Sequence, residues 1–308
     1  MKRYWVVFWL VSLIYGSSFL LNSVVLRELA PIEVGVLRYI VAALGLHLYL
    51  RRQGKRLPLD QTTIRHLILV GVGNHAIPFV LIVWAQTQVQ SGLAGVLMAT
   101  TPLYSLVIAH FVFADERMSV RKAGGIALGF TGILILASRE LSGVPVEGHL
   151  IADLAILVAS ALGAATTVYS RRVMIGPVDP MVVSAGTMTV SAIFMVVAVL
   201  VSWLLGHGPG WVFITTMSRE TWLIILMMGV VNTLIANTLF YFLVRGWGAS
   251  RSTLVTYVYP PISLVLGVIF LQEVIDIHIV LGTMVILSGL ALSTLPVTLW
   301  RSLPRPVT

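Results

Sequence analysis

Ten long apolar runs, punctuated by charge, proline and glycine, divide the chain at roughly residues 4–25, 31–50, 65–84, 92–113, 121–138, 150–170, 181–205, 221–244, 252–271 and 278–299. Each is close to the about 20 apolar residues that a helix needs to cross the hydrocarbon core of a bilayer. Only helices satisfy their own backbone hydrogen bonds in lipid, so the pattern predicts an all-α integral membrane protein of ten transmembrane helices. The first run follows Met1-Lys2-Arg3, as in a signal peptide. It continues to about Val25 with no small-residue cleavage site, and is read as the first span.

Charge fixes the expected orientation. With ten spans, both termini share a side with every even-numbered loop. That side carries sixteen of the twenty Lys and Arg residues, in clusters such as Arg51, Arg52, Lys55, Arg56 and Arg65. The opposite side holds Arg27, Arg139 and Arg219, and Arg38 lies inside the second run. The positive-inside bias therefore places both termini in the cytoplasm, in a multi-pass protein of the cytoplasmic (inner) membrane. It also accounts for the net charge of +8 without nucleic acid as a partner. A chain 58% hydrophobic and 10% charged hides no sizeable soluble domain.

The second half repeats the first. At an offset of about 158, Gly71-Val72-Gly73-Asn74 falls on Gly229-Val230-Val231-Asn232, and Pro102 on Pro260. After a one-residue gap, Glu116 matches Glu273, Gly125 matches Gly282 and Gly132 matches Gly289; near the start Pro31 matches Pro180. Five spans per repeat force the halves into opposite orientations, giving residues 1–145 and 146–308 as two inverted five-helix units. Inverted repeats of this kind are typical of secondary transporters, whose substrate sites lie near mid-membrane where the halves meet.

The segments Tyr15-Gly16-Ser17-Ser18-Phe19, Val36-Leu37-Arg38-Tyr39, Thr101-Pro102-Leu103 through Asp115-Glu116-Arg117, and Tyr259-Pro260 through Gln272-Glu273 carry a further signal. In order and spacing the chain resembles EamA-type transporters of the drug/metabolite transporter superfamily. The resemblance implies a basket in which helices 1–4 and 6–9 surround a central cavity while 5 and 10 are peripheral. It also implies export of amino acids, other metabolites or toxic amphiphiles. One departure is an extra residue before Glu116, which changes the expected end of the fourth helix.

Candidate binding residues are the polar groups inside spans. Arg38 could hold a substrate carboxylate through paired hydrogen bonds; its alternative roles are snorkelling, pairing with Glu33, or tying helices together. Its mate near Thr187 is uncharged, so a cationic pocket would be one-sided. Asn74 and Asn232 occupy equivalent places in the third and eighth runs and are expected to face the cavity or bond a neighbouring helix. His75 could titrate near neutral pH and couple a proton. Lying about 100° around the helix from Asn74, it should point elsewhere. Asn237, Tyr169, Tyr241 and Tyr257 complete the candidate set, the tyrosines as stacking platforms or packing residues. Pro102 and the Pro260-Pro261 pair are expected to interrupt the fourth and ninth helices, as hinges or static kinks. Gly125, Gly129, Gly132, Gly282 and Gly289 read as packing seams.

The acidic residues stay in loops or near run ends, so the mid-span carboxylate that cation antiport requires is missing. No phosphate-binding GxxxxGK[ST] loop, HExxH or metal-ligand cluster occurs, so the expectation is a non-enzymatic carrier without cofactor or metal. Its partners would be a small-molecule substrate, the bilayer and, as a candidate coupling ion, the proton, and it would function as a monomer. The favoured reading is an exporter of amino acids, possible aromatic ones included, by alternating access. The alternatives are an exporter of aromatic or cationic drugs and, from another class, a non-transporting scaffold or lipid-handling protein.

Overall fold

The computed structural model describes residues 2–57, 60–114, 117–139, 150–173, 179–206, 211–247, 252 and 254–294, with the side chains of 171–173, 241 and 244–247 outside that description. Ten helical segments follow the ten apolar runs: α1 (Lys2–Val25), α2 (Pro31–Arg52), α3 (Gln61–Ala85), α4 (Ser91–Val112), α5 (Val120–Ala137), α6 (Leu150–Val173), α7 (Pro180–Leu204), α8 (219–247), α9 (Val255–Leu271) and α10 (Ile277–Thr294). Nine of them hold a stretch long and apolar enough to span a membrane; α9, with 17 residues, is about 26 Å long and nearly so. The described residues contain no strand.

Local chemistry sets where the helices begin. Pro31 and Pro180 open α2 and α7, where a missing backbone N–H costs nothing. Asp60, Ser119, Asp179 and Ser218 cap α3, α5, α7 and α8, each accepting from a backbone N–H of the first turn. The Asp60 cap carries α3 four residues earlier than the apolar run alone indicates. The altered end of α4 expected from Asp115 and Glu116 lies outside the described residues.

Contacts between the halves come in pairs related by the repeat. At the α5–α10 seam, a side chain at Gly125 would meet the Gly289 carbonyl, and one at Gly132 the Gly282 carbonyl 2.8 Å away. The converse contacts also hold, Gly282 on the Gly132 carbonyl and Gly289 on that of Gly125. Since Gly125 corresponds to Gly282 and Gly132 to Gly289, the interface is self-complementary, as a two-fold axis between the repeats requires. The same exchange recurs between other helices of the two repeats: Gly71 of α3 abuts Thr187 and Val190 of α7, and Gly229 of α8 abuts Arg38 and Val41 of α2. The fold is two inverted five-helix repeats, interleaved rather than side by side. The largest buried apolar cluster lies where α2 packs on α7.

Across the end of the bundle opposite the N-terminus, polar contacts link the repeats. Glu28 accepts from the Ser218 N–H and hydroxyl, both at 2.8 Å; Arg139 donates to Asp276 at 2.8 Å; and Glu273 accepts from Ser91 N–H at 2.6 Å and Gly92 N–H at 2.9 Å, at the start of α4. At the other end, Lys55 pairs with Asp179.

Candidate functional site

Midway along α3 the helix widens into a π turn over Gly71–Ala76, and α8 does the same over Met228–Ile235. These are the two Gly-Val-x-Asn segments that the repeat aligns. A π turn holds about one extra residue per turn, is rare, and is frequently found at functional sites. Its appearance at equivalent places makes it part of the repeat rather than a local accident.

Beside the first π turn lies a cavity of about 180 Å³, bounded by α2, α3, α4 and α6. Its polar lining comes from Tyr39, Asn74, His75, Thr101 and Thr167, and its apolar wall includes Phe79. Asn74 and His75 both line it, contrary to the expectation that adjacent residues point apart. The wider π turn takes a smaller angular step per residue, which brings both towards one space. Tyr39 is buried, donates to the His75 carbonyl at 3.1 Å and meets the His75 ring edge-on at 6.3 Å.

Arg38 stands behind the Phe79 wall, its guanidinium carbon 5.1 Å from the ring centroid. Nε donates to the Thr233 hydroxyl of α8 and Nη1 to the Ser18 hydroxyl of α1, each at 3.1 Å. No carboxylate among the described residues pairs with it; the Glu33 carboxylate instead accepts from the Ala30 N–H at 2.7 Å. A guanidinium has five N–H donors, so two hydroxyl contacts leave donors free for an anionic ligand.

The remaining candidates divide. Asn232 does not mirror Asn74 in the cavity: it is buried, and its amide donates to the Ile14 carbonyl at 2.6 Å, tying α8 to α1. Tyr257 donates to the Leu290 carbonyl at 2.9 Å and also contacts Thr294, so it fastens α9 to the peripheral α10 rather than facing a substrate. Tyr169 pairs with His66 at 2.6 Å, nearer the N-terminal end than the cavity. Asn237 is half-buried without a hydrogen-bond partner among the described residues. The Tyr241 side chain lies outside them.

The two prolines behave differently. Helix α4 is broken at Ala99–Thr100, with Pro102 second in the segment that resumes; the Thr100 and Thr101 hydroxyls donate to the carbonyls of Leu97 and Met98 at 2.6 and 2.8 Å. Pro260 and Pro261 do not interrupt α9, which runs unbroken from Val255 to Leu271. There the Ser263 hydroxyl donates to the Pro260 carbonyl at 2.8 Å. Ser18, Tyr39, Phe79, Thr101, Thr167 and Thr233 join the site although the sequence pattern does not single them out. The adjacent serines in the first apolar run were the available signal for Ser18.

Opposed five-helix repeats around a small polar chamber at mid-membrane define a secondary-transporter architecture. The chain belongs to the EamA-like transporter family, whose sequence profile matches residues 3–138 and again 150–295. It is similar to the "Uncharacterized transporter YoaV" of Bacillus subtilis, with 25% identity over 92% of this chain and 94% of that one. It is also similar to the "Uncharacterized inner membrane transporter YedA" of Escherichia coli, 26% identical over 83% of this chain and 78% of that one. A "Probable amino-acid metabolite efflux pump" of Salmonella typhimurium is 23% identical over 91% of each chain. A solved crystal structure shares the fold with a TM-score of 0.64 at 18% identity, covering 94% of this chain and 96% of its own. The protein is a multi-pass membrane transporter of small molecules.

Proposed function

We propose that the protein exports amino acids, or closely similar carboxylate-bearing metabolites, from the cytoplasm across the inner membrane by alternating access. The observation that carries this reading is Arg38: a cation within a membrane helix, held by two hydroxyls and an aromatic ring, with no carboxylate beside it among the described residues. A fixed unpaired cation suits a carboxylate and repels an organic cation. Size points the same way. Drug-sized ligands occupy pockets of about 300–1,000 Å³, whereas the cavity of about 180 Å³ matches a single small metabolite. The relative described as an amino-acid metabolite efflux pump agrees. Both termini are cytoplasmic on this reading, from the loop charges, and residues 1–145 and 146–308 are the rocking units. The π turns of α3 and α8 and the break before Pro102 are where those units flex, while the unbroken α9 carries Pro260 as a static residue.

The test is counterflow in proteoliposomes over a panel of amino acids, their decarboxylated amines and organic cations. Amino acids should exchange, and the amines, which lack the carboxylate, should not. Equal exchange of amines and amino acids would remove Arg38 as the anchor. Repeating the assay with a pH gradient, in the parent and in His75→Ala, reads proton coupling: a gradient effect lost in the variant assigns it to His75.

A further inference from the structure

On the outer side of the α3–α6 seam lies a second space, a groove of about 500 Å³ lined by Arg65, Ile68, Leu69, Val72, Gly73 and Thr166. It opens on the face of α3 along which Ile68, Leu69, Ile77 and Trp84 are exposed, an apolar stripe that a membrane protein turns to lipid. Arg65 stands at its end nearest the N-terminal side. The inner cavity begins one residue away: Gly73 borders the groove and Asn74 the cavity, while across the seam Thr166 borders the groove and Gly163 and Thr167 the cavity.

The wall between the two spaces is thin. Its polar link is Thr166 Oγ1 to Asn74 Oδ1 at 3.3 Å, and the same hydroxyl has a shorter bond, 2.8 Å, to the Leu162 carbonyl. One hydroxyl hydrogen cannot serve both fully. Gly73 adds no side chain to the wall; a methyl there would press on Thr166 Cγ2 at 2.7 Å. The equivalent seam in the other repeat is built more firmly. Val231 stands where Gly73 does, and Asn232 donates to α1 at 2.6 Å. Within Gly-Val-x-Asn, the position that differs between the repeats is the one at this wall. It also sits in a π turn, an element able to shift register.

We propose that the α3–α6 seam is a lateral portal, through which amphiphiles bearing a carboxylate enter the cavity directly from the leaflet on the N-terminal side. The apolar groove takes the body of the molecule, Arg65 gathers its anionic head at the interface, and Gly73 leaves the passage open. The portal rests on the carrier reading above and adds a route that reading does not need.

The test removes the cation at the mouth of the groove: Arg65→Gln leaves the cavity lining and both π turns unchanged. Proteoliposomes are given leucine, which stays in water, and 2-aminodecanoate, a slender single-chain amino acid that partitions into the bilayer. Arg65→Gln should cut 2-aminodecanoate flux several-fold and leave leucine flux within about twofold. Equal loss of both, or loss of neither, overturns the portal; the second outcome leaves the groove as a site for lipid alone. A measurement independent of transport separates this failure from failure of the carrier reading. A bilayer-dissolved alkyl maleimide should label Asn74→Cys, and adding Gly73→Val should block that labelling. Equal labelling of the two variants overturns the portal even in a protein that moves neither permeant.

Discussion

Arg38 of α2 reaches into the other repeat to donate to Thr233 of α8, within the second π turn. The charge that has no counterpart at Thr187 thus binds the two halves together at mid-membrane. Any ligand that draws the guanidinium away from Thr233 alters the contact between the repeats. This gives carboxylate binding a physical path to the rocking motion.

Arg38→Lys should therefore fail almost as completely as Arg38→Ala. Lysine keeps the charge but is a single point donor on a flexible stem, and cannot hold Ser18, Thr233 and a carboxylate in one planar fork. Counterflow should fall by about tenfold or more in both variants, equivalent to about 1.4 kcal/mol or more of lost binding. Thermal midpoints in detergent should change little, because removing the guanidinium also removes the cost of burying it. A midpoint collapse in Arg38→Ala with normal flux in Arg38→Lys would make the residue a structural tie.

Asn74 and Asn232, equal in the sequence, should separate by experiment. Asn232→Ala removes a buried amide that bonds the Ile14 carbonyl, and should cost about 1–3 kcal/mol in stability with KM unchanged. Asn74→Ala should leave the thermal midpoint nearly unmoved and raise KM, since its amide faces the cavity with a single long contact. Melting curves and concentration-dependent counterflow on the two variants read both quantities.

None of the glycines at the seam between α5 and α10 lines the cavity, and the seam should affect stability alone. Gly289→Leu drives a side chain against the backbone of Gly125 and Gly129, neither of which can yield as a side-chain end would. The expected loss is about 1–3 kcal/mol or more, with substrate affinity of the surviving folded protein unchanged. Gly124→Leu, one residue away, meets nothing closer than Leu292 at 3.9 Å and serves as the tolerant control.

The ten helices were readable because lipid leaves the backbone few choices, and each apolar run therefore became a helix. The inverted repeat was readable from the same glycines, asparagines and prolines that now make its paired contacts. What escaped reading was rotation about the helix axes. A period of 3.6 residues cannot reveal that Gly71–Ala76 forms a π turn, so Asn74 and His75 were expected to diverge. Nor does the alignment of Asn74 with Asn232 say which faces a cavity; that depends on whether glycine or valine precedes it and on what the opposing helix offers. The contact of Tyr257 with α10 was hidden for a related reason. Its helix borders both the central bundle and α10, and the sequence does not say which neighbour a side chain meets.

Acid should loosen the end of the bundle opposite the N-terminus. The Ser218 N–H and hydroxyl hold the Glu28 carboxyl below the usual carboxylate range. For Asp276, burial raises the value, but the Ile279 N–H and the Arg139 guanidinium outweigh it, and the net shift is downward. A group whose folded value lies below its unfolded one stabilises the fold above the unfolded value, and loses that contribution as pH falls through the folded one. Both contacts bridge the two repeats. The thermal midpoint in detergent should therefore be flat from neutral pH down to about pH 5 and drop below about pH 4. Glu28→Gln with Asp276→Asn should lower the neutral-pH midpoint and flatten the acid drop. If the double variant kept the parent's full acid dependence, the titrating groups would have to lie elsewhere, and these two contacts would not be what holds that end closed.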